Sequence, residues 1–179
     1  MNRQPVLEGE RLLLRPLQPG DWASLYGVAS DPLIWALHPA HDRWQEPVFR
    51  AFFADALARG GALTALDKAS GALIGSSRFQ NHDSADGGAV EIGWTFLARS
   101  HWGGAWNREM KRLMIGHALG TVERVRFVVG AGNLRSRRAL EKIGAHLTGT
   151  RETRMMAGGP VDHVHYAITR TSFAAGPLA

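Results

Sequence analysis

Val90-Glu91-Ile92-Gly93-Trp94-Thr95-Phe96-Leu97 is the stretch that decides the fold, together with Trp102-Gly103-Gly104-Ala105-Trp106-Asn107-Arg108-Glu109, which begins after four intervening residues. The first run has the β-branched and aromatic side chains that favour a strand. The second is a Gly-rich turn without an acidic residue before Glu109, and a helical apolar pattern follows it directly. We expect this turn to present unpaired backbone N–H groups at a helix N-terminus, where the helix dipole also favours a phosphate.

The length and composition favour one globular domain. A chain of 179 residues is long enough for one full core, and we expect a single domain over residues 1–179 with a frayed tail at 172–179. The absence of cysteine excludes a disulfide framework, a thiolate metal site and a cysteine nucleophile. No apolar run approaches the roughly 20 residues that span a bilayer, and the first residues lack the apolar core of a secretory signal. We therefore expect a cytoplasmic protein without a membrane partner.

Positive charge is concentrated in the second half of the chain. The net charge is +5, and residues 99–154 contain twelve Lys or Arg against four acidic residues. A basic half is typical of nucleic-acid binding, but it also suits a small polyanion such as a nucleotide cofactor. A nucleic-acid-binding module is thus a rival interpretation. The sequence contains no recognisable nucleic-acid motif, so we expect that nucleic acid is not the partner.

Hydrophobic periodicity predicts an α/β domain with one mixed sheet. Short turns between three consecutive strand-like runs imply antiparallel pairing, while a later strand–helix–strand unit requires a parallel crossover. The result is a mostly antiparallel sheet of about six to seven strands flanked by helices on both faces. The predicted strands are residues 11–15, 62–67, 73–81, 90–97, 125–129, 145–150 and 163–169. The predicted helices are residues 21–29, 31–35, 46–59, 107–119 and 133–143.

Three segments carry a resemblance to a known family: Glu91-Ile92-Gly93-Trp94, Trp102-Gly103-Gly104-Ala105-Trp106-Asn107, and Asn133-Leu134-Arg135-Ser136-Arg137-Arg138-Ala139-Leu140-Glu141-Lys142-Ile143-Gly144. In this order and spacing, the sequence resembles the GNAT superfamily of acyl-CoA-dependent N-acetyltransferases. Its likeness is greatest to the RimJ/RimL-like branch, which acetylates the N-termini of ribosomal proteins. The resemblance covers nearly the whole chain, from residue 7 to the final strand.

The resemblance implies acetyl-CoA as co-substrate and no metal; the eight histidines show no metal-ligand spacing. The turn after the long strand would hold the pyrophosphate, although Ala105 stands where the family has glycine and Asn107 stands at the last small position. Asn107 is a preferred N-cap residue and is expected to begin the helix. The implied cofactor-binding residues are Thr95, Phe96, Leu97, Trp102, Gly103, Gly104, Ala105, Trp106, Asn107, Arg108, Asn133, Ser136 and Arg138.

Two residues are candidates for catalysis. Glu91 is expected either to take the proton of the acceptor amine, directly or through water, or to pair with an arginine or orient the substrate. The family's tyrosine position is Leu140 here, so the resemblance implies Ser136 as the group that hydrogen-bonds the departing thiolate. An α-amine, with a pKa of about 8, is easier to deprotonate than a lysine amine at about 10.4.

The acceptor itself stays open between several alternatives. The leading interpretation is acetylation of a protein N-terminal α-amine by direct attack in a ternary complex. A small amine such as a polyamine, an amino acid or an antibiotic is the second interpretation. A degenerate domain that binds acyl-CoA without turnover is the third. The sequence leaves homodimerisation open.

Overall fold

Eight strands form one continuous sheet in this computed structural model, which describes residues 1–156 and 158–179. The strands are β1 Leu7–Glu8, β2 Leu12–Pro16, β3 Ala62–Asp67, β4 Leu73–Asp83, β5 Ala89–Leu97, β6 Arg124–Gly130, β7 His146–Met156 and β8 Gly159–Thr169. Their order across the sheet is β1-β2-β3-β4-β5-β6-β8-β7. All neighbours are antiparallel except β5 and β6. The predicted mixed sheet is confirmed. The additional strand β1 has two residues and is too short to show an alternating apolar pattern in the sequence.

Helices cover both faces of this sheet. They are α1 Trp22–Ala29, α2 Pro32–Trp35, α3 Glu46–Arg59, α4 Ala105–Leu119, α5 Leu134–Lys142 and α6 Arg170–Ala174. On one face, α1 to α3 build an aromatic core that includes Leu25, Trp35, Phe49, Phe53 and Phe96. On the other face, α4 and α5 pack on a larger core that includes Phe79, Ile92, Met110, Met114 and Leu140. The two faces are called the α3 face and the α4 face below.

The parallel pair β5–β6 separates after three residue pairs. Their register ends at Glu91 opposite Arg126. On its other side, β5 contains a bulge: Arg78 lies opposite Gly93, but Ser76 lies opposite Phe96, so β5 has one residue more than β4. A bulge bends its strand, and Trp94 at this point has a φ of +53°. In the described chain, residues 92–97 of β5 and residues 127–130 of β6 are therefore not paired with each other, and this separation is called the strand cleft below.

A buried carboxylate fastens α4 to the other half of the sheet. Glu109 Oε1 accepts hydrogen bonds from the backbone N–H of Arg11 at 2.9 Å and of Leu12 at 3.3 Å, at the start of β2. The Arg11 guanidinium lies 3.8 Å from the second oxygen of Glu109. These contacts hold the first turns of α4, and the loop before them, in a defined position over the α4 face.

The expected frayed tail is wrong. Residues 170–174 form α6, whose N-terminus has a reciprocal cap between Thr169 and Ser172. Beyond it, Leu178 is only 2% exposed and belongs to the core of the α4 face. The Arg108 guanidinium donates to the carbonyl of Pro177. The tail is ordered because it completes the core, a contact that local sequence patterns do not reveal.

Replacing Leu178 by alanine is expected to lower the free energy of unfolding by about 2–4 kcal/mol, the usual cost of a cavity in a core. Urea unfolding of the variant measures this directly. The matched control is Leu147→Ala, whose side chain is 50% exposed and should change the stability by less than about 0.5 kcal/mol. Equal effects of the two substitutions would contradict a structural role for the tail.

Candidate active site

The loop before α4 leaves the first turn of the helix open. Gly104 is the N-cap, with extended backbone and no side-chain cap, so that no described side chain accepts from the amide groups of the first turn. Gly103 has a φ of +72° and nothing within 4 Å of the place where a Cβ would stand. The expectation that Asn107 caps the helix is therefore wrong, since Asn107 lies inside the first turn. Gly103, not the residue at 105, is the position that requires glycine.

Aromatic side chains fix this loop to its surroundings. The indole Nε1 of Trp102 donates to the carbonyl of Leu97 at 2.9 Å, which joins the loop to the end of β5. The guanidinium carbon of Arg135 lies 4.2 Å from the centre of the Trp102 ring, and Arg135 also donates to the carbonyl of Ile34 at 2.7 Å. The loop, β5 and α5 thus meet at one place, with a positive charge at its edge.

The N-terminus of α5 lies beside the cleft. The buried side chain of Asn133 caps this helix, because its Oδ1 accepts from the backbone N–H of Ser136 at 3.2 Å. Asn133 also lines a cavity of about 290 Å³ between the segment 36–41 and the loop after β6. A Cβ on Gly130 would lie 2.6 Å from Cγ of Pro39, so glycine permits this close approach. Arg138, further along α5, is exposed.

On the α3 face, Glu91 lies at the start of the cleft. It is 6% exposed, and its Oε2 accepts from the Asn81 side-chain amide at 2.7 Å. Two residues further along, Gly93 leaves room beside the carboxylate, whose Oε1 would be 3.4 Å from a Cβ there. Opposite Gly93 is Arg78, which is 1% exposed and donates to Asp55 Oδ2 at 2.8 Å. A carboxylate and a guanidinium group therefore lie close together on the α3 face, at the start of the cleft.

On the α4 face, a lysine lies between the two strands. Lys111 is 5% exposed; its Nζ donates to Thr95 Oγ1 on β5 at 2.7 Å and lies 5.7 Å from the ring centre of Phe127 on β6. Thr95 Oγ1 in turn lies 2.8 Å from Ser77 Oγ. Among the described residues, no carboxylate pairs with Lys111. Burial lowers the pKa of Lys111 to about 7, because the charged form is poorly solvated.

The segment between α2 and α3 adds more basic groups above the α3 face. The Arg43 guanidinium carbon lies 5.2 Å from the ring centre of Trp35 and 4.6 Å from that of Phe52. Burial lowers the pKa of Arg43 to about 10. Burial, followed by the charges of Arg43, His163 and Arg135, lowers the pKa of His38 to about 3, so this imidazole is neutral. The surroundings of the cleft are thus rich in cations.

The structure brings some predicted residues together and separates others. Asn133 and Ser136 share a hydrogen bond, and Trp102 contacts Leu97. Thr95 turns towards Lys111, whereas Phe96 lies in the core of the α3 face. Among the described residues, no hydrogen bond joins Glu91 to Ser136, which belong to opposite faces of the sheet. Arg108 contacts the tail, at the carbonyl of Pro177.

Sequence reasoning missed three basic residues of the site. Lys111 precedes Met114 and Ile115 by three and four positions, a helical spacing that could have identified it as inward-facing. Arg78 lies in a continuous buried run of β4, but the polar residues around it in the sequence give no hydrophobic signal for that burial. Arg43 has no local signal, because its place depends on contacts with α2 and α3.

Two negative results apply to residues 1–156 and 158–179. No group of three or more His, Cys, Asp or Glu side chains is arranged to hold a metal ion. No helix combines the length and apolarity needed to cross a bilayer.

The sequence matches the family described as the Acetyltransferase (GNAT) domain over residues 11–146. The chain belongs to the GNAT acetyltransferase family. Members of this family are acyl-CoA-dependent N-acetyltransferases, and they use acetyl-CoA. The first turn of α4 presents bare amides, which suit phosphates, and β5 presents strand amides along the cleft, which suit an extended arm.

Solved structures agree with the fold. A crystal structure described as that of an acetyltransferase is 28% identical, with a TM-score of 0.82, and the match covers 95% of this chain and 89% of that one. Mycobacterium smegmatis RimJ in complex with CoA-disulfide is 20% identical, with a TM-score of 0.73, covering 93% and 86%. Vibrio cholerae spermidine N-acetyltransferase in complex with CoA and spermine is 16% identical, with a TM-score of 0.69, covering 93% and 99%. No curated protein matches the sequence significantly.

Proposed function

We propose that this GNAT protein transfers the acetyl group of acetyl-CoA to an amine, foremost the N-terminal α-amine of a protein, as in the RimJ/RimL-like branch. One observation carries the proposal: the part of β5 without β6 pairing begins after the buried Glu91 and ends at Leu97, whose carbonyl accepts from Trp102 in the loop before the open first turn of α4. The same geometry serves the smaller amines that form the second candidate class. We treat residues 1–179 as a single catalytic domain that acts in the cytoplasm.

The acyl donor fits the residues around the cleft. The uncapped first turn of α4 has amides for a pyrophosphate, and the nearby guanidinium groups add positive charge. Beyond Glu91, no described residue pairs with β5 on its β6 side, which leaves its backbone available to a pantetheine arm. The proposed cofactor-binding residues are Thr95, Phe96, Leu97, Trp102, Gly103, Gly104, Ala105, Trp106, Asn107, Arg108, Asn133, Ser136 and Arg138.

Acetyl-CoA supplies an acyl group activated as a thioester. The acceptor nitrogen attacks the thioester carbonyl carbon, the carbon–sulfur bond breaks, and Glu91 accepts the proton that leaves the nitrogen, directly or through water. A backbone N–H of β5 would donate to the developing oxyanion, a contribution of typically about 3 kcal/mol. Ser136, in the first turn of α5, would hydrogen-bond the departing sulfur.

The departures of the loop from the family pattern do not block binding. Ala105 is the first residue of α4 and has ordinary helical backbone, so it needs no glycine. Asn107 lies in the first turn and leaves the cap position to Gly104. The amides that a phosphate needs are thus open, which supports a functional acyl-CoA site over a degenerate one.

Free-thiol release tests the proposal. The protein is incubated with acetyl-CoA and with a panel of N-terminal peptides and small amines, while calorimetry measures the binding of CoA. We expect CoA binding and thiol release that depends on the acceptor. Tight CoA binding without turnover for any acceptor would favour the degenerate domain, and the absence of CoA binding would overturn the proposal.

A further inference from the structure

The guanidinium group of Arg43 has no counter-ion in the described part of the chain. Its guanidinium carbon lies near the rings of both Trp35 and Phe52, and no described residue accepts a hydrogen bond from the guanidinium or forms an ion pair with it. Other partly or fully buried arginines are paired, such as Arg15 with Asp21 and Arg78 with Asp55. The five N–H donors of Arg43 therefore have no acceptor among residues 1–156 and 158–179.

The surroundings of Arg43 disfavour its charged form. Burial outweighs the attraction of the adjacent Asp42, and the charge of Arg78 adds repulsion, so that the pKa of Arg43 falls to about 10. The carboxylate of Asp55 is already shared, at 2.8 Å from Arg78 Nη1 and 2.6 Å from Arg59 Nε. Among the described residues, no ion pair or hydrogen bond joins this carboxylate to Arg43. An anion that entered here would relieve the unfavourable field, because an opposite charge stabilises a poorly solvated cation.

Arg43 is connected by contacts with aromatic rings to the part of the α3 face that carries Glu91. The ring of Phe52 lies 4.6 Å from the guanidinium carbon of Arg43 and 5.3 Å from that of Arg78. Arg78 also lies 5.1 Å from the ring centre of Trp94, at the bulge of β5. A series of side-chain contacts thus connects Arg43 to the region of the α3 face beside Glu91. In the proposed reaction, the acceptor amine binds on this face.

We infer that Arg43 binds a carboxylate of the acceptor, so that the preferred substrates are amines that also carry a carboxylate. The inference rests on the proposed function, since it names the acceptor class for the same site. A guanidinium suits this task because its planar fork can donate two parallel hydrogen bonds to one carboxylate. Polyamines are disfavoured, since Arg43 and Arg78 would repel a second cationic centre. The carboxylate can belong to a small acceptor or to an acidic first residue of a peptide.

Isosteric acceptor pairs test this assignment in the wild-type protein. The small pair is glutamic acid α-amide against glutamine α-amide, and the peptide pair is amidated Glu-Ala-Ala against amidated Gln-Ala-Ala. Within each pair only the side-chain charge differs. We expect kcat/KM to be at least about 10-fold higher for the carboxylate member of one pair, and the pair that responds identifies the source of the carboxylate. Equal rates within both pairs would overturn the inference but leave the proposed function intact.

A substitution connects the preference to the residue. Arg43→Met keeps the length of the side chain, and we expect it to raise KM for the carboxylate acceptor by about 10- to 100-fold, the cost of one or two charge-assisted hydrogen bonds. Its kcat, and its KM for the amide acceptor, should change little. The matched control is Arg50→Met, because Arg50 also stacks on an aromatic ring, at 4.2 Å from Trp22, but is exposed and paired with Glu46. A preference that survives Arg43→Met would contradict the assignment.

Direct binding separates this inference from the proposed function. Glutarate serves as a carboxylate probe without an amine, and its binding is followed by the tryptophan fluorescence of the wild type and of Arg43→Met. Binding that requires Arg43 supports the carboxylate site even where no acetyl transfer occurs. A failure of glutarate to bind the wild-type protein overturns the site, whatever the acyl-transfer assay gives. Circular dichroism of the variant verifies that it is folded.

Discussion

Replacing Glu91 by glutamine is expected to lower kcat/KM for an α-amine acceptor by roughly 100-fold at pH 6.5, within the range for removal of a general base. An α-amine has a pKa of about 8, so at pH 6.5 most of the acceptor is protonated and a base must remove a proton. Above pH 9 the amine is already neutral, and the loss should shrink to a few-fold. The pH profile of kcat/KM measures both effects in one series.

Glutamine is the suitable replacement because its side-chain oxygen can still accept the hydrogen bond from Asn81. The matched control is Glu123→Gln, since Glu123 is a half-exposed carboxylate that pairs with Arg170 away from the cleft. A loss of activity that is the same at pH 6.5 and at pH 9 would show that Glu91 orients the acceptor without taking its proton. That result would remove Glu91 as the general base but would leave the proposed acyl transfer intact.

Replacing Lys111 by methionine is expected to raise the free energy of unfolding by about 2–4 kcal/mol at pH 6, and by progressively less above pH 7. Burial lowers the pKa of Lys111 from its ordinary 10.5 to about 7 in the folded protein. At about 1.4 kcal/mol for each pKa unit, the buried ammonium costs of the order of 5 kcal/mol. Methionine avoids this cost but loses the hydrogen bond to Thr95, worth about 1 kcal/mol.

The direction in which the stability changes with pH follows from the difference between the pKa of Lys111 in the folded chain and its pKa in the unfolded chain. Between about pH 7 and pH 10.5, the unfolded chain binds the proton that the folded chain has released. The wild-type free energy of unfolding therefore rises with pH in this window, whereas below pH 7 the full penalty is present. Urea unfolding of both proteins from pH 6 to pH 10 measures the difference. The control is Lys142→Met, at an exposed position, whose unfolding free energy should differ from that of the wild type by the same small amount at every pH. If the difference between Lys111→Met and the wild type also stayed constant from pH 6 to pH 10, Lys111 would not have the lowered pKa of a buried lysine.

The sequence predicted the sheet and most helices well because their periodicity is local. The runs at 62–67 and 46–59 agree with β3 and α3 at every boundary. The start of α4 was misplaced by two residues, since Asn107 is a good cap by composition but Gly104 reaches the cap position through the positive φ of Gly103. The tail was misjudged because the burial of Leu178 depends on a core assembled from distant strands.

The residues of the candidate site also fall into those that local sequence patterns identify and those that depend on distant contacts. Residues in short motifs, such as Glu91 and Asn133, could be selected from the sequence, and both side chains are buried beside the cleft. Arg43 could not, because an arginine in a sequence is normally a solvated surface residue. Lys111 could have been recognised as inward-facing from its helical spacing to Met114 and Ile115, but that spacing does not show that it lacks an acidic partner. What makes each of them unusual is the missing carboxylate partner, and this property emerges only from the packing of separate elements.

The order of the strands also determines when the cleft can form during folding. β3, β4 and β5 are consecutive neighbours, whereas β8 lies between β6 and β7, so that β7 has no place in the sheet before residues 159–169 arrive. Contacts close in sequence form fastest, and a chain under synthesis folds from its N-terminal side. The side of the cleft with Glu91 therefore assembles early and the side with Phe127 assembles late. A nascent chain that stops short of β8 exposes the unpaired edge of β6 to chaperones and proteases.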